Sequence, residues 1–159
     1  MPRYERTLKI LGGLRTHLLG TAISLINGCS HCTYADVYAF QLIYLRERGA
    51  VFPLDEHEVG QLCGQAPAVI RNHLIKALKQ ADLYSEVWWL NRTIELTLAE
   101  DRRPTEADDI RLAHLVRMIG VLNSVGIASQ TPPDEAHDRV NRDDALKLRY
   151  AGLRASAAI

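Results

Sequence analysis

The chain has 159 residues, of which 47% are hydrophobic and 24% charged, which is the size and composition of a single globular domain. Nineteen Lys and Arg balance nineteen Asp and Glu, and the basic residues are spread along the chain. No net field therefore favours binding to nucleic acid or to an anionic membrane. Three cysteines are too few for a disulfide framework, and the spacing of two of them, CxxC, points to thiol chemistry or a metal in a reducing compartment.

The N-terminal region superficially resembles a signal peptide, but the pattern argues against one. The apolar run from Leu18 to Ile26 is short, it follows Arg15 and His17, and Glu5 lies in the supposed basic region. No stretch of eighteen consecutive apolar residues occurs, so no membrane-spanning helix is expected. We expect a cytoplasmic protein with no membrane partner.

Apolar residues recur at helical spacing along almost the whole chain, which predicts an all-α fold of about six to eight helices. The first predicted helix runs from about Leu14 to Ile26 and is ended by Asn27-Gly28, because both residues tolerate a positive φ. The second starts near His31 and continues to Arg48. The two thiols, Cys29 and Cys32, are therefore expected at the N-terminus of the second helix.

The rest of the chain is predicted to continue in the same way. Helices are expected over about 55–63, 69–78, 85–100 and 106–124, with Gly126 ending the last one. The segment Thr131-Pro132-Pro133 is the clearest linker. It divides the chain into a helical domain, residues 1–130, and a peripheral C-terminal helical tail or oligomerisation arm, residues 131–159.

The CxxC motif is the strongest functional signal in the sequence. Unpaired backbone N–H groups and the helix dipole at a helix N-terminus favour a thiolate. Cys32, inside the first turn, is expected to have the lower pKa, while Cys29 in the preceding loop can close a disulfide onto it. His31 lies between them. Attack on an O–O bond would convert Cys32 to a sulfenic acid that Cys29 resolves.

Two further polar residues are expected near the thiols. Asp36 follows Cys32 by one helical turn and shares its face, and His17 lies on the preceding helix. If the two helices are antiparallel about a turn at Gly28, His17 lies roughly 17 Å and Asp36 roughly 11 Å from that turn. The offset of about 6 Å makes a direct or water-mediated link between them feasible. They are candidates for acid–base catalysis.

The spacing of His17, Cys29, Cys32 and Asp36 resembles the signature of the AhpD-like alkylhydroperoxidases, in the carboxymuconolactone decarboxylase-like superfamily, which reads Glu-x11-Cys-x2-Cys-x3-His. The string ISLINGCSHC is also similar to the family, and the resemblance covers Leu14 to Leu45. The two end members are exchanged in this chain, since His17 stands in place of Glu and Asp36 in place of His.

The resemblance implies an all-α AhpD-like fold and a thiol-dependent hydroperoxide reductase. It implies that Cys32 is the peroxidatic thiol, that Cys29 resolves it and that His31 belongs to a proton relay; His17 and Asp36 would form that relay with their positions reversed. The substrate would be a small hydroperoxide, and the reductant an external dithiol of lipoyl or thioredoxin-like type. The resemblance also implies a homo-oligomer, a trimer or hexamer. We expect no cofactor and no metal.

Two other hypotheses remain open at this point. A metal-binding module could use Cys29, Cys32, His17 and Asp36 as four ligands, although the sequence lacks the second Cys/His pair that structural zinc sites usually have. A catalytically silent helical oligomer would keep the fold while its thiols titrate normally. Cys63 is expected to be a core residue.

Overall fold

The computed structural model of the chain describes residues 2–99 and 104–157. Within these ranges it contains eight α-helices, one short 3₁₀ helix and no strand, which confirms the all-α prediction. The end predicted for one helix at residue 100, and the last two residues of the predicted tail, lie outside the described residues. The helices are α1 (Pro2–Leu11), α2 (Gly13–Asn27), α3 (Ser30–Arg48), α4 (Glu56–Gly60), α5 (Pro67–Gln80), α6 (Tyr84–Leu98), α7 (Ala107–Ala128), the 3₁₀ helix Arg139–Arg142 and α8 (Asp144–Ala157).

The central helix of the fold is α2, which is buried continuously from Leu18 to Leu25. It packs along α3 and also contacts α1, α5, α6 and α7. Because neighbours surround it, even its polar residues Thr21 and Ser24 are buried. The predicted helix over residues 14–26 agrees with α2 to within one residue at each end.

A tight turn joins α2 to α3 and places the cysteines. Gly28 adopts a left-handed conformation with φ 76°, which a glycine reaches without strain. Its N–H donates to the carbonyl of Leu25, and the N–H of Cys29 donates to that of Ser24, so two of the last carbonyls of α2 are satisfied. Cys29 then serves as the N-cap of α3. The CxxC motif therefore lies at the bend of a helical hairpin.

The helix α1 was not predicted, and because it precedes α2 the thiols lie at the start of the third helix of the chain and not of the second. Leu8 and Leu11 of α1 pack into a core cluster, against Leu19, Leu112 and other residues of α2 and α7. The sequence of α1 does carry a helical period, because Tyr4, Leu8 and Leu11 recur at the spacing of one helix face, and the prediction overlooked it. In the structure the helix packs against α2 and α7.

The C-terminal segment packs against α3 of the same chain. Val140, Leu146 and Tyr150 are buried in a cluster with Tyr38 and Leu42 of α3. The ring of Tyr38 meets that of Tyr150 edge to face, with centroids 5.8 Å apart. This packing fixes the path of residues 131–143 across one side of the fold. The division at residue 130 and a contact of the tail with a neighbouring subunit stay predictions.

One described helix, α7, is long and apolar enough to cross a membrane by length and composition alone. A single such helix is weak evidence for membrane insertion. Its surface includes exposed apolar side chains, among them Val121 and Val125, which are 65% and 61% exposed. The absence of a membrane partner therefore stays a prediction.

Candidate functional site

Cys29 and Cys32 form a disulfide at the N-terminus of α3, with their Cα atoms 5.4 Å apart. As the N-cap, Cys29 accepts a hydrogen bond at its sulfur from the backbone N–H of Cys32, at 3.3 Å. Cys29 is only 1% exposed, whereas Cys32 is half-buried and faces a cavity. Both sulfurs therefore lie in the field of the helix N-terminus, and Cys32 is the more accessible of the two.

The cavity beside Cys32 has a volume of about 550 Å³. Four of the five predicted site residues line it, namely His17, His31, Cys32 and Asp36, and the fifth, Cys29, lines a second cavity of about 400 Å³ that shares His31 and Gly126 with the first. The rest of the first cavity's wall is mostly apolar and includes Leu8, Ala35, Ile119, Leu122, Val125 and Ala136. The structure thus brings the predicted residues to one place.

His17 and Asp36 are in direct contact, which is one of the two links considered from the helical offset. His17 Nδ1 lies 2.9 Å from Asp36 Oδ1, and the two side chains are 12% and 17% exposed. The carboxylate packs against Gly20 of α2, where an added Cβ would lie 2.5 Å from Asp36 Oδ2. A glycine is therefore required at position 20 for α3 to bring Asp36 this close to α2.

A second carboxylate, which the sequence analysis missed, completes the cluster around His17. Asp138 Oδ2 lies 3.1 Å from His17 Nε2, so both ring nitrogens face a carboxylate oxygen. Its other oxygen accepts from the N–H of Val140 at 2.9 Å and so caps the 3₁₀ helix. The contact joins residues 121 positions apart, and no local pattern could have indicated it.

The two carboxylates change the titration of the histidine. Burial by itself lowers the pKa of His17, but the hydrogen bonds to Asp138 and Asp36 outweigh it and raise the pKa to about 9. The hydrogen bond from His17 lowers the pKa of Asp138 to about 2. Burial raises the pKa of Asp36 above its ordinary value. Asp138 is therefore ionised at neutral pH, whereas Asp36 binds a proton more readily than Asp138 does.

His31 is held by the C-terminal segment. Its Nδ1 lies 2.7 Å from the carbonyl oxygen of Pro132. Because a carbonyl oxygen can only accept, Nδ1 must carry the proton in this contact. The ring lines both cavities beside the disulfide. His31 therefore lies beside both sulfurs, while its Nδ1 is occupied by the hydrogen bond to the carbonyl of Pro132.

Gly126 was predicted to end its helix, but α7 continues through it to Ala128. The reason for a glycine here is close packing, since an added Cβ would lie 3.0 Å from the sulfur of Cys29 and 3.1 Å from that of Cys32. The helix is fixed over the hairpin bend by Asn123, which bonds to Asn27 at 2.8 Å and to Ser24 at 2.9 Å. Gly126 thus allows α7 to cover the disulfide.

The substitution Gly126→Ala is expected to destabilise the protein relative to Gly120→Ala, its matched control on the same helix. Alanine is the better helix former at both positions, and at Gly120 the new Cβ meets nothing within 4 Å. At Gly126 it would press on both sulfurs, and overpacking of this kind costs about 1–3 kcal/mol. Thermal denaturation of the two variants measures the difference. Equal melting temperatures would show that α7 moves away from the disulfide freely.

Cys63, the remaining cysteine, is half-buried against the main core cluster, where burial raises the pKa of its thiol. Residues 2–99 and 104–157 include no group of three or more His, Cys, Asp or Glu side chains that could hold a metal ion. The four residues considered for zinc are not arranged as ligands, because both nitrogens of His17 face carboxylates and the two sulfurs are bonded to each other.

Comparisons with protein-family models, with curated proteins and with solved structures give no match to this chain.

Proposed function

We propose that this protein is a dithiol–disulfide oxidoreductase that reduces a small hydroperoxide through Cys32 and Cys29. The observation that carries the proposal is the shared cavity: the more accessible sulfur, Cys32, opens into the same space as the His17–Asp36 pair. A thiol at a helix N-terminus beside a buried acid–base pair has what a peroxidatic site requires, namely a thiolate and a proton source.

The reaction proceeds in two sulfur steps. The thiolate of Cys32 attacks the terminal oxygen of the hydroperoxide; the O–O bond breaks, Cys32 becomes a sulfenic acid and the alkoxide takes a proton and leaves as the alcohol. The sulfur of Cys29 then attacks that of Cys32, the S–O bond breaks and water leaves. The two thiols have lost two electrons, and the hydroperoxide has gained them.

Reduction of the disulfide by an external dithiol completes the cycle. A donor thiolate attacks a sulfur of the pair, a mixed disulfide forms, and the donor's second thiol releases it, so that the donor leaves oxidised. Because Cys29 is 1% exposed and Cys32 faces the cavity, Cys32 is the sulfur that the donor reaches. The resemblance to AhpD-like proteins suggests a lipoyl or thioredoxin-like donor.

The exchanged end members of the motif fit the same proposal. The AhpD-like pattern pairs a carboxylate on one helix with a histidine on the next, and this chain pairs His17 with Asp36 at 2.9 Å. The chemical pair is the same and its order along the chain is reversed. We propose that Asp36, one turn after Cys32, supplies the proton for the leaving alkoxide, with His17 as its partner and His31 beside the sulfurs.

The resemblance also suggests how the protein assembles and where in the cell it is located. We propose a cytoplasmic homo-oligomer, a trimer or hexamer. The exposed apolar side chains of α7, such as Val121, Val125 and Ile127, support a subunit contact, because exposed apolar clusters of this kind commonly mark interfaces. The catalytically silent oligomer would share this surface, so the redox experiment decides between the two.

Mild peroxide is expected to convert the reduced protein to a form with a Cys29–Cys32 disulfide and a reduced Cys63. Only the first two thiols are adjacent and lie beside a cavity, whereas Cys63 is packed against the core. Mass spectrometry after one equivalent of hydroperoxide should show a loss of about two daltons, for two hydrogens, in the peptide that holds both cysteines.

The matched control is Cys63→Ser, which should consume peroxide at the parent rate. Oxidation that begins at Cys63 would contradict the proposal. A pair that stays reduced while zinc co-purifies in stoichiometric amount would favour the metal-binding module. A pair that stays reduced without metal would favour the silent oligomer.

A further inference from the structure

The C-terminal segment makes two contacts with site residues, and the proposed reaction assigns no role to either contact. The carbonyl of Pro132 holds His31, and the side chain of Asp138 holds His17. Thr131, Ala136 and His137 of the same segment also form part of the cavity wall. The segment is anchored beyond these contacts by Val140, which is 3% exposed. A stretch of chain anchored at Val140 thus presents one carboxylate to His17 Nε2.

We propose that Asp138 is a positioning residue for the proposed oxidoreductase reaction: it holds the proton on His17 Nε2 and so directs the exchangeable proton to the side that His17 Nδ1 shares with Asp36. This inference rests on the proposed function for its catalytic part. Its structural part stands on the two contacts of the imidazole and on the acceptor-only nature of an ionised carboxylate.

The groups that face His17 determine what each of its ring nitrogens can do. An ionised carboxylate accepts hydrogen bonds and donates none, so the nitrogen that faces Asp138 must carry a proton. His17 can then be a cation that also donates from Nδ1 to Asp36. Alternatively it is neutral, with its only proton on Nε2, and Nδ1 accepts from a protonated Asp36. These two states hold the same number of protons and differ only in whether the shared proton is bound to His17 Nδ1 or to Asp36; in both it lies between the two residues.

The surroundings of the pair favour this assignment. Burial raises the pKa of Asp36, while Asp138 is ionised, so the inner carboxyl is the one that takes up a proton. Other titratable groups that line the cavity are His31, His137 and, when reduced, Cys32. The wall residues supplied by α1 and α7 carry no titratable side chain, and Arg46 acts on Asp138 from α3. Among the described residues, no Lys or Arg lines this cavity, so Asp36 meets no permanent cation in its wall.

For the reaction, this means that the exchangeable proton of the pair lies between His17 Nδ1 and Asp36. Asp36 shares a helix face with Cys32 one turn away, so the proton held between Asp36 and His17 lies on the face of α3 that carries the sulfur. The side chain of Asp138 bonds to His17 and to the N–H of Val140, and it acts by fixing which nitrogen of His17 takes part. A third group that orients the base in this way is a common element of catalytic sites.

The test is Asp138→Asn, which changes the donor pattern with little change of shape. Because one oxygen of Asp138 accepts from Val140 N–H, the amide oxygen should keep that cap and turn the NH₂ group toward His17. An NH₂ group donates, so Nε2 would have to accept and the proton would move to Nδ1. We expect peroxide turnover to fall on the order of 10²-fold.

The decisive measurement is NMR of the histidine side-chain nitrogens in the reduced protein, with the His17 signals assigned by their loss in His17→Gln. In the parent, Nε2 should stay protonated across the titration, and the pKa should lie near 9. In Asp138→Asn the pKa should fall by about 1 to 3, and the neutral ring should carry its proton on Nδ1. The pH dependence of turnover should shift with it.

Two controls separate a positioning role from a structural one. Asp143→Asn alters a second capping carboxylate of the same segment, which accepts from Leu146 N–H, and should leave the His17 signals and turnover unchanged. Asp138→Ser should retain the cap but lose the contact with His17, and it should lower the pKa without forcing the other tautomer.

The outcomes distinguish this inference from the proposed function. If His17 responds as expected but the parent protein consumes no peroxide, the oxidoreductase proposal fails and the placement of the proton stands. If the parent turns over peroxide and Asp138→Asn leaves the His17 pKa, its tautomer and the pH profile unchanged, the positioning role is wrong.

Discussion

The substitution Cys32→Ser is expected to abolish hydroperoxide consumption. A serine hydroxyl is far less nucleophilic than a thiolate, and Cys32 is the sulfur that faces the cavity, whereas Cys29 is 1% exposed. The loss should reach the background rate of the uncatalysed reaction. It is measured by the disappearance of a small organic hydroperoxide in the presence of a dithiol reductant.

The companion variant Cys29→Ser serves as the control, because it is expected to lose the resolution step and not the first attack. One attack on the hydroperoxide should still occur, but the sulfenic acid at Cys32 cannot be resolved and should accumulate. A sulfenic-acid probe should label Cys32 in this variant after one equivalent of hydroperoxide. Labelling of Cys29 in the Cys32→Ser variant, with turnover retained, would reverse the roles of the two cysteines.

The local parts of the site follow from the sequence because they depend on helical geometry alone. The bounds of α2 and α3 are set by caps at Gly28 and Gly49 and by a continuous apolar pattern. Once both helices and the turn are placed, a rise of about 1.5 Å per residue brings His17 and Asp36 to neighbouring levels. Their contact at 2.9 Å is a consequence of the hairpin.

The other parts depend on how distant segments pack. Asp138 reaches His17 only because Val140 and α8 are buried against α3, and nothing near Asp138 in the sequence encodes that path. Gly126 was misread for a related reason. A glycine near the end of an apolar helical run predicts a stop, yet here it removes a Cβ that would collide with the disulfide. Its role is visible only when α7 is placed on the hairpin.

Asp36→Asn is expected to lower the rate of peroxide reduction by roughly 10²-fold or more, the low end for loss of one acid–base group. An amide cannot release the proton that the leaving alkoxide requires. His17→Ala should cost a similar factor, because Asp36 then loses the partner with which it shares a proton at 2.9 Å. The measurement is turnover of a small hydroperoxide by each variant, with helical content checked by circular dichroism.

The double variant reveals whether the two residues act as a unit. If they share one proton, Asp36→Asn combined with His17→Ala should be little slower than either single variant, because the first substitution already removes the whole relay. Independent packing roles would multiply the losses. Turnover at the parent rate in all three variants would show that neither residue belongs to a relay, and the proposal would then rest on Cys29 and Cys32 alone.

Restoring the residue order of the AhpD-like pattern extends this cycle. His17→Glu with Asp36→His exchanges the members of the pair, but it also places a carboxylate against Asp138, which is held 3.1 Å from His17 in the parent. Two close carboxylates repel, so the exchange alone should recover little of the activity lost in either single variant. Adding Asp138→Asn removes that repulsion and supplies a donor in its place. We therefore expect the triple variant to be faster than the double exchange, and a triple variant no faster than the double one would show that Asp138 does not limit the exchanged pair.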